Sequence, residues 1–174
     1  NLFGVSSIKV ITLNQTVSFI LHPNLEDEPA YISRELVNEM INLANNLNIL
    51  TPKTRIAKIK KINPSILIGL GLLDEIKKEI ITSKINLLIV NTNLTPRQQK
   101  NLEDILKIKV TDRTGIILEI FAKRAKTKEG KLQVELADLT YRKSRLVRAW
   151  THLERQRGGT TFIGGPGELQ IELD

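Results

Sequence analysis

The sequence predicts an α/β fold, a small mostly parallel sheet with flanking helices, followed by a long helix and the glycine-rich loop of a helical hairpin. Three observations predict it. From residue 16 to residue 127, short apolar runs of strand length alternate with stretches of helical periodicity, four times over. Such alternation implies parallel pairing, right-handed crossovers and a sheet covered on both faces. After Ala125 the apolar residues recur at steps of four and three, as in a heptad seam. The seam ends at a segment with five glycines in ten residues, Gly158 to Gly167. The chain therefore divides into an α/β subdomain over 1–127 and a hairpin subdomain over 128–174.

The elements follow in order. Ile8 to Leu13 reads as a strand, and Thr16 to Leu21 as another, ending before His22-Pro23. Asn24 to Glu28 is an acidic loop. From Ser33, expected as the N-cap, Leu36, Val37, Met40, Ile41, Leu43, Ala44 and Leu47 recur at helical spacing. Thr54 to Ile62 alternates Ile56 and Ile59 with lysines, a strand with room for a bulge, closed by Asn63-Pro64. A charged helix spans Asp74 to Ile81, beginning near Gly71. Asn86 to Asn91 holds Leu87-Leu88-Ile89-Val90, the continuous apolar run of a strand buried on both faces. Thr95-Pro96-Arg97-Gln98 is a helix start, with Thr95 as N-cap, proline at the first helical position and Gln98 completing a capping box. That helix runs to Leu106. Ile108 to Thr111 is a strand, and Asp112 caps a helix through Ile116, Ile117, Ile120 and Phe121.

In the second subdomain one helix spans Glu129 to Gln156. Its seam is Leu132, Leu136, Leu139, Lys143, Leu146, Trp150 and Leu153, and a seam needs a partner helix. Arg157-Gly158-Gly159 ends it, glycine being the usual C-terminal stop. A second helix is expected to start near Glu168. The loop between them is longer than the two to five residues that join two helices.

Composition narrows the functional classes. The chain has 174 residues, enough to bury a core. Cysteine is absent, which excludes a disulfide framework and a cysteine metal site. No apolar run reaches the ~18–20 residues that span a bilayer. Asn1 to Val5 lack the basic stretch of a signal peptide. A cytoplasmic setting is expected. The first residue is not methionine, and Asp174 falls inside an amphipathic pattern, so both ends are expected to be cuts in a longer protein. The net charge of +7 is uneven. Residues 51–128 carry seventeen basic and seven acidic groups, whereas residues 1–50 carry two and five. Concentrated positive charge suits a polyanion, although a solvated lysine-rich surface has the same composition.

Two segments point to nucleic acid. In the tip, which also holds Pro166, Gly158, Gly159, Gly164, Gly165 and Gly167 let backbone approach backbone or phosphate closely, and Phe162 and Ile163 at the apex can stack on or wedge against bases. Without a partner the same composition reads as a flexible loop. Before it lie Arg142, Lys143, Arg145, Arg148, Arg155 and Arg157, whose guanidinium forks suit phosphate oxygens. They read as spread around the helix, and alone they would pass for a solvated face.

Other motifs carry less. Ile68-Gly69-Leu70-Gly71 invites a dinucleotide reading, but Asp74 stands where the third glycine belongs. Asp112-Arg113-Thr114 sits at a strand's C-terminal end, where α/β ligands bind, and reads equally as a helix cap and its neighbours. His22 and His152 are isolated, and Glu26/Glu28 lie in the acidic loop. No G-x-x-x-x-G-K-[ST] occurs, so the chain holds no P-loop.

The same segments carry a family resemblance. Thr95-Pro96-Arg97-Gln98-Gln99-Lys100-Asn101-Leu102-Glu103, the run Val110 to Phe121, the run Ala122 to Tyr141, and Gly164-Gly165-Pro166-Gly167-Glu168 with Gln170-Ile171-Glu172 resemble, in order, motifs of HflX-type ribosome-associated GTPases. The likeness extends from about Asn63 to Asp174. It departs at Gly164, where arginine is common, at Leu169 in place of threonine, at Leu72 in place of lysine, and at Ser144 in place of proline. The resemblance implies an N-terminal region that binds the large (50S) ribosomal subunit, with 23S ribosomal RNA near the peptidyl-transferase region as partner. It implies a role in ribosome splitting, rescue after stress, or biogenesis. By carry-over, Arg157 to Glu168 would contact RNA, with Arg148 and Arg155 as flanking phosphate contacts and Arg145 beside them. GTP and magnesium would belong to a G domain downstream, itself a partner, so no cofactor and no catalysis are expected in these residues. Two other readings remain: a nucleotide-binding α/β domain with its own ATP or GTP site, and a structural or dimerising domain that regulates the G domain.

Overall fold

The computed structural model describes residues 16–158, with side chains through Lys143 apart from Pro52. Four parallel strands, β1 (Val17–Asn24), β2 (Leu50–Lys58), β3 (Leu87–Val90) and β4 (Lys109–Asp112), form one sheet in the order β2-β1-β3-β4. Helices α1 (Ala30–Asn46), α2 (Leu70–Thr82) and α3 (Pro96–Leu106) are the crossovers. Helix α4 (Arg113–Arg124) follows β4 directly, and α5 (Lys128–Gly158) ends the described residues. The strand expected at Ile8–Leu13, the tip beyond Gly158 and the second hairpin helix lie outside them.

The chain leaves β1 to one side for β2, then returns past β1 to β3 and β4. With right-handed crossovers that reversal puts α1 on one face and α2 and α3 on the other. The core agrees. Phe19, Leu21, Leu88, Val90 and Val110 pack with Leu73, Ile76, Ile80, Leu102 and Leu106. Ile20, Leu87 and Ile89 pack on the other side with Met40, Ala44, Ile116 and Ile120. Alternate residues of one strand thus enter different cores, which is why β1 and β3 read as unbroken apolar runs.

Several boundaries differ from expectation. β1 continues through His22-Pro23 to Asn24, because His22 and Asn24 are buried in a polar network instead of being released to solvent. β2 begins at Leu50 and ends at Lys58. Its register against β1 shifts between the Val17–Leu50 and Phe19–Lys53 pairs, where Pro52 has no N–H to give the ladder. Ser33 is not the N-cap of α1. The helix starts three residues earlier, after Pro29, whose φ is −54°, and Ser33 is fully buried with its hydroxyl donating to the Glu28 carboxylate at 3.1 Å. α2 starts at Leu70, after Gly69.

The capping box is formed as predicted. The Thr95 hydroxyl accepts from Gln98 N at 3.1 Å, and the Gln98 side chain accepts from Thr95 N at 3.0 Å. Gln98 also donates to the Asn63 carbonyl, fastening α3 to the β2–α2 loop. Thr95→Ala is expected to cost about 1 kcal/mol, read as a lower urea midpoint with an unchanged slope.

Candidate functional site

The arginines singled out in the sequence lie on the C-terminal half of α5. This helix has 31 residues, so it is about 46 Å long. Its continuity tightens one expectation. Arg148 and Arg155 stand seven residues apart, about 10 Å along the axis at two turns' spacing, with Arg145 one turn before Arg148. These three positions share a side of the helix, whereas Arg142, Lys143 and Arg157 fall elsewhere around it, so the full set is spread around the helix. Gly158 is the last residue of the helix. Gly159, Phe162, Ile163, Gly164, Gly165, Pro166 and Gly167 lie outside the described residues.

The middle of α5 is fastened to the sheet by a polar contact that the sequence did not advertise. Asp112, 1% exposed, ends β4 and caps α4. Its Oδ1 accepts from Gly115 N at 2.9 Å and from the Tyr141 hydroxyl at 2.9 Å, and its Oδ2 accepts from Leu94 N at 3.1 Å. One carboxylate thus joins the β3–α3 loop, the start of α4 and the long helix. Gly115 is required here, because a Cβ at that position would overlap the Thr111 hydroxyl.

A second polar group lies across the same α4–α5 contact. Asp138, 5% exposed, pairs with Arg142 at 3.0 Å. Burial of the Glu119 carboxyl, reinforced by the charge of Asp138 and opposed by Arg142 and Lys109, raises its pKa to about 7. Of the seam, Leu132, Leu136 and Leu139 are 57%, 66% and 55% exposed. Leu136 lines an open apolar groove of about 600 Å³ with Leu118, Ala137 and Tyr141. The apolar seam is thus uncovered among the described residues, as a helix awaiting a partner would leave it.

The C-terminal ends of β1 and β3 form the point where the strand order reverses, the usual ligand crevice of an open α/β sheet. Here it is filled. His22, 3% exposed, meets Glu28 through Nε2 at 3.2 Å and Asn91 Nδ2 through Nδ1 at 3.1 Å. Asn91 Oδ1 accepts from Arg113, which also forks onto both oxygens of Glu39 at 3.0 Å. With Asn91 Nδ2 as the donor to Nδ1, the imidazole Nε2–H is the donor in the hydrogen bond to the Glu28 carboxylate. Asn24 closes the set by donating to the Glu28 carbonyl and to the Ser33 hydroxyl. Every group has an internal partner, so the arrangement is that of a structural plug. Arg113 and Asp112 are engaged with protein groups, as their reading as cap and neighbour anticipated.

Gly69 and Gly71 do not make a phosphate cradle of the dinucleotide type. That motif needs the glycines at the turn from a strand into a helix. Here β2 ends at Lys58, well before Gly69, and a Cβ at either glycine would meet nothing within 4 Å. Among the described residues no group of three or more His, Asp or Glu side chains is placed to hold a metal ion, and no helix is long and apolar enough to cross a membrane.

Comparison with known proteins places this geometry. Residues 34–122 match the family described as GTP-binding GTPase N-terminal, and residues 124–174 match the GTP-binding GTPase Middle Region. The boundary between them falls within four residues of the start of α5. The chain is 50% identical over 141 residues to GTPase HflX of Magnetococcus marinus, covering 81% of this chain and 33% of that protein. It is 48% identical over 112 residues to GTPase HflX of Escherichia coli K12 (64% and 26% covered), and 40% identical over 166 residues to that of Chlamydia pneumoniae (92% and 34%). It thus spans about a third of the length of the curated relatives it matches. Among solved structures it resembles a GTP-binding protein of the hyperthermophilic archaeon Sulfolobus solfataricus in complex with GDP. The TM-score there is 0.59 at 28% identity, over 82% of this chain and 42% of that one. With two family matches in tandem and close relatives along most of its length, the chain belongs to the HflX GTPase family and carries its N-terminal region.

Proposed function

We propose that this chain is the ribosome-docking region of an HflX-type GTPase, gripping ribosomal RNA of the large subunit with the arginine-bearing end of α5 and the glycine-rich segment that follows it. The observation that carries the reading is α5 itself: a 31-residue helix, fastened near its middle by the Tyr141 hydroxyl on Asp112, that leads Arg145, Arg148, Arg155 and Arg157 directly into Gly158–Gly167. The helix runs on for about 25 Å beyond Tyr141, and a strut of that length suits the delivery of a small contact to a recessed RNA site. The filled crevice between β1 and β3 favours docking over a nucleotide site of the subdomain's own. GTP and magnesium belong to a G domain outside this chain, whose residues include no P-loop sequence. The cytoplasm is the compartment this reading requires, and splitting or rescue of ribosomes near the peptidyl-transferase region is the role.

The test is binding to purified large subunits across a salt series, since released counterions drive phosphate contacts. Affinity is expected to fall steeply with salt. Shortening Gly159–Gly165 in the G-domain-bearing protein is expected to remove ribosome splitting while leaving basal GTP turnover intact. Binding indifferent to salt, or splitting that survives the shortened tip, would refute the reading.

A further inference from the structure

We propose a second RNA-facing surface, on the α/β subdomain: Lys60 and Lys61 of the β2–α2 loop together with Arg97 and Lys100 of α3 form a cationic rim that takes the phosphate backbone of folded RNA. It shares with the docking reading only the chemistry of the partner, and it stands on different residues.

The juxtaposition is made by two hydrogen bonds between uncharged groups. Gln98 Nε2 donates to the Asn63 carbonyl at 3.2 Å, and Asn101 Nδ2 donates to the Ser65 carbonyl at 2.9 Å. These bonds lay the loop after β2 along the first turns of α3. Lys60 and Lys61 lie two to three residues before Asn63, and Arg97 and Lys100 each adjoin a donor residue, so four cations meet at the C-terminal edge of the sheet. All four are exposed, and among the described residues their side chains make no ion pair or hydrogen bond.

Most other cations of the sheet are paired, Lys53 of β2 being an exception. Arg55 pairs with Glu75 and Glu79, Lys58 with Asp27, Lys109 with Glu103, and Arg113 with Glu39. Of the acids at this end of the sheet, Glu26, Asp27 and Glu28 sit in the β1–α1 loop, which leads to the opposite face, with Asp27 and Glu28 already engaged, and Asp112 at the end of β4 is buried and engaged by Leu94 N, Gly115 N and Tyr141. Glu103, three residues after Lys100, is the carboxylate nearest in sequence and is engaged by Lys109 and Val110 N, and Asp104 follows one turn along α3 from Lys100. Unneutralised like charge held together costs stability through repulsion, and an anion laid across it relieves that repulsion. Three lysines' worth of flexible reach with one arginine, and no aromatic side chain among them, favour phosphate oxygens over bases. The rim should therefore bind without sequence preference.

The test uses the full chain and a short A-form RNA duplex as probe, titrated across a salt series. Three variants are compared: a rim variant (Lys60→Gln, Lys61→Gln, Arg97→Gln, Lys100→Gln), a charge-matched control (Lys77→Gln, Lys78→Gln, Lys126→Gln, Lys128→Gln), and a deletion of residues 159–165. Circular dichroism melts establish that each is folded. The rim variant is expected to lose about tenfold in affinity and about 3 in the slope of log K against log salt, at roughly 0.7–0.9 for each phosphate no longer neutralised. The control should keep both. A rim variant that matches the control overturns the proposal, whatever the deletion does. Loss of binding on deletion of 159–165 with an unaffected rim variant would leave the docking reading standing alone. Loss in the rim variant with an unaffected deletion would support the rim and count against the docking reading.

Discussion

Asp112→Ala is expected to destabilise the protein by about 3–4 kcal/mol. The carboxylate is buried and receives three donors: Gly115 N, Leu94 N and the Tyr141 hydroxyl. Its removal takes away a helix cap, worth about 1 kcal/mol, and a charged acceptor from two buried backbone N–H groups, about 1–3 kcal/mol each. Two further variants separate the contributions. Asp112→Asn keeps one oxygen but turns an amide donor toward a donor, so an intermediate loss of about 1–2 kcal/mol is expected. Tyr141→Phe removes only the bond to α5 and should cost about 1 kcal/mol. Urea melts of the three variants give the comparison. An alanine variant within 1 kcal/mol of the parent would mean that Asp112 does not join these elements.

The second large effect depends on pH and lies in the α4–α5 contact. Glu119 titrates near 7 in the folded chain against 4.5 as its ordinary value, because burial and Asp138 disfavour its charge. A carboxyl whose folded pKa is raised binds more protons folded than unfolded. Its favourable contribution is complete below 4.5 and lost as pH rises through 7. Stability should therefore fall across that window by about 1–2 kcal/mol from this group, after allowance for the screening that a half-buried carboxyl receives from water. Glu119→Gln abolishes the titration. The variant should be more stable than the parent at pH 8, by about the same 1–2 kcal/mol, and flatter between pH 5 and 8. Parallel parent and variant profiles in urea melts would show that Glu119 is not held in this environment.

Much of this architecture was legible because it is local. The Thr95 cap, the Asp112 cap and the doubly buried run at Leu87–Val90 are each decided by neighbours within four residues, so chain order displays them. The parallel pairing followed from the alternation of strands with helices. The arginine series and the glycine-rich segment were likewise visible as composition. Boundaries moved where a partner beyond the local turn intervened, whether a few residues away or across the fold. Ser33 has the chemistry of an N-cap, but Glu28 and Asn24 claim its hydroxyl and the helix starts at Ala30. His22-Pro23 has the chemistry of a strand end, but Asn91, 69 residues away, gives His22 a buried partner and the strand continues.

By itself, then, the sequence determined the elements, their parallel sense, the positions of the arginines and the family. Only the tertiary structure decided the strand order β2-β1-β3-β4, the side-chain plug where that order reverses, the meeting of Lys60 and Lys61 with Arg97 and Lys100, and the raised pKa of Glu119. The division has a physical cause. Backbone propensity and capping are settled over a few residues, whereas burial of a charge and the closing of a hydrogen bond depend on which segments fold against one another.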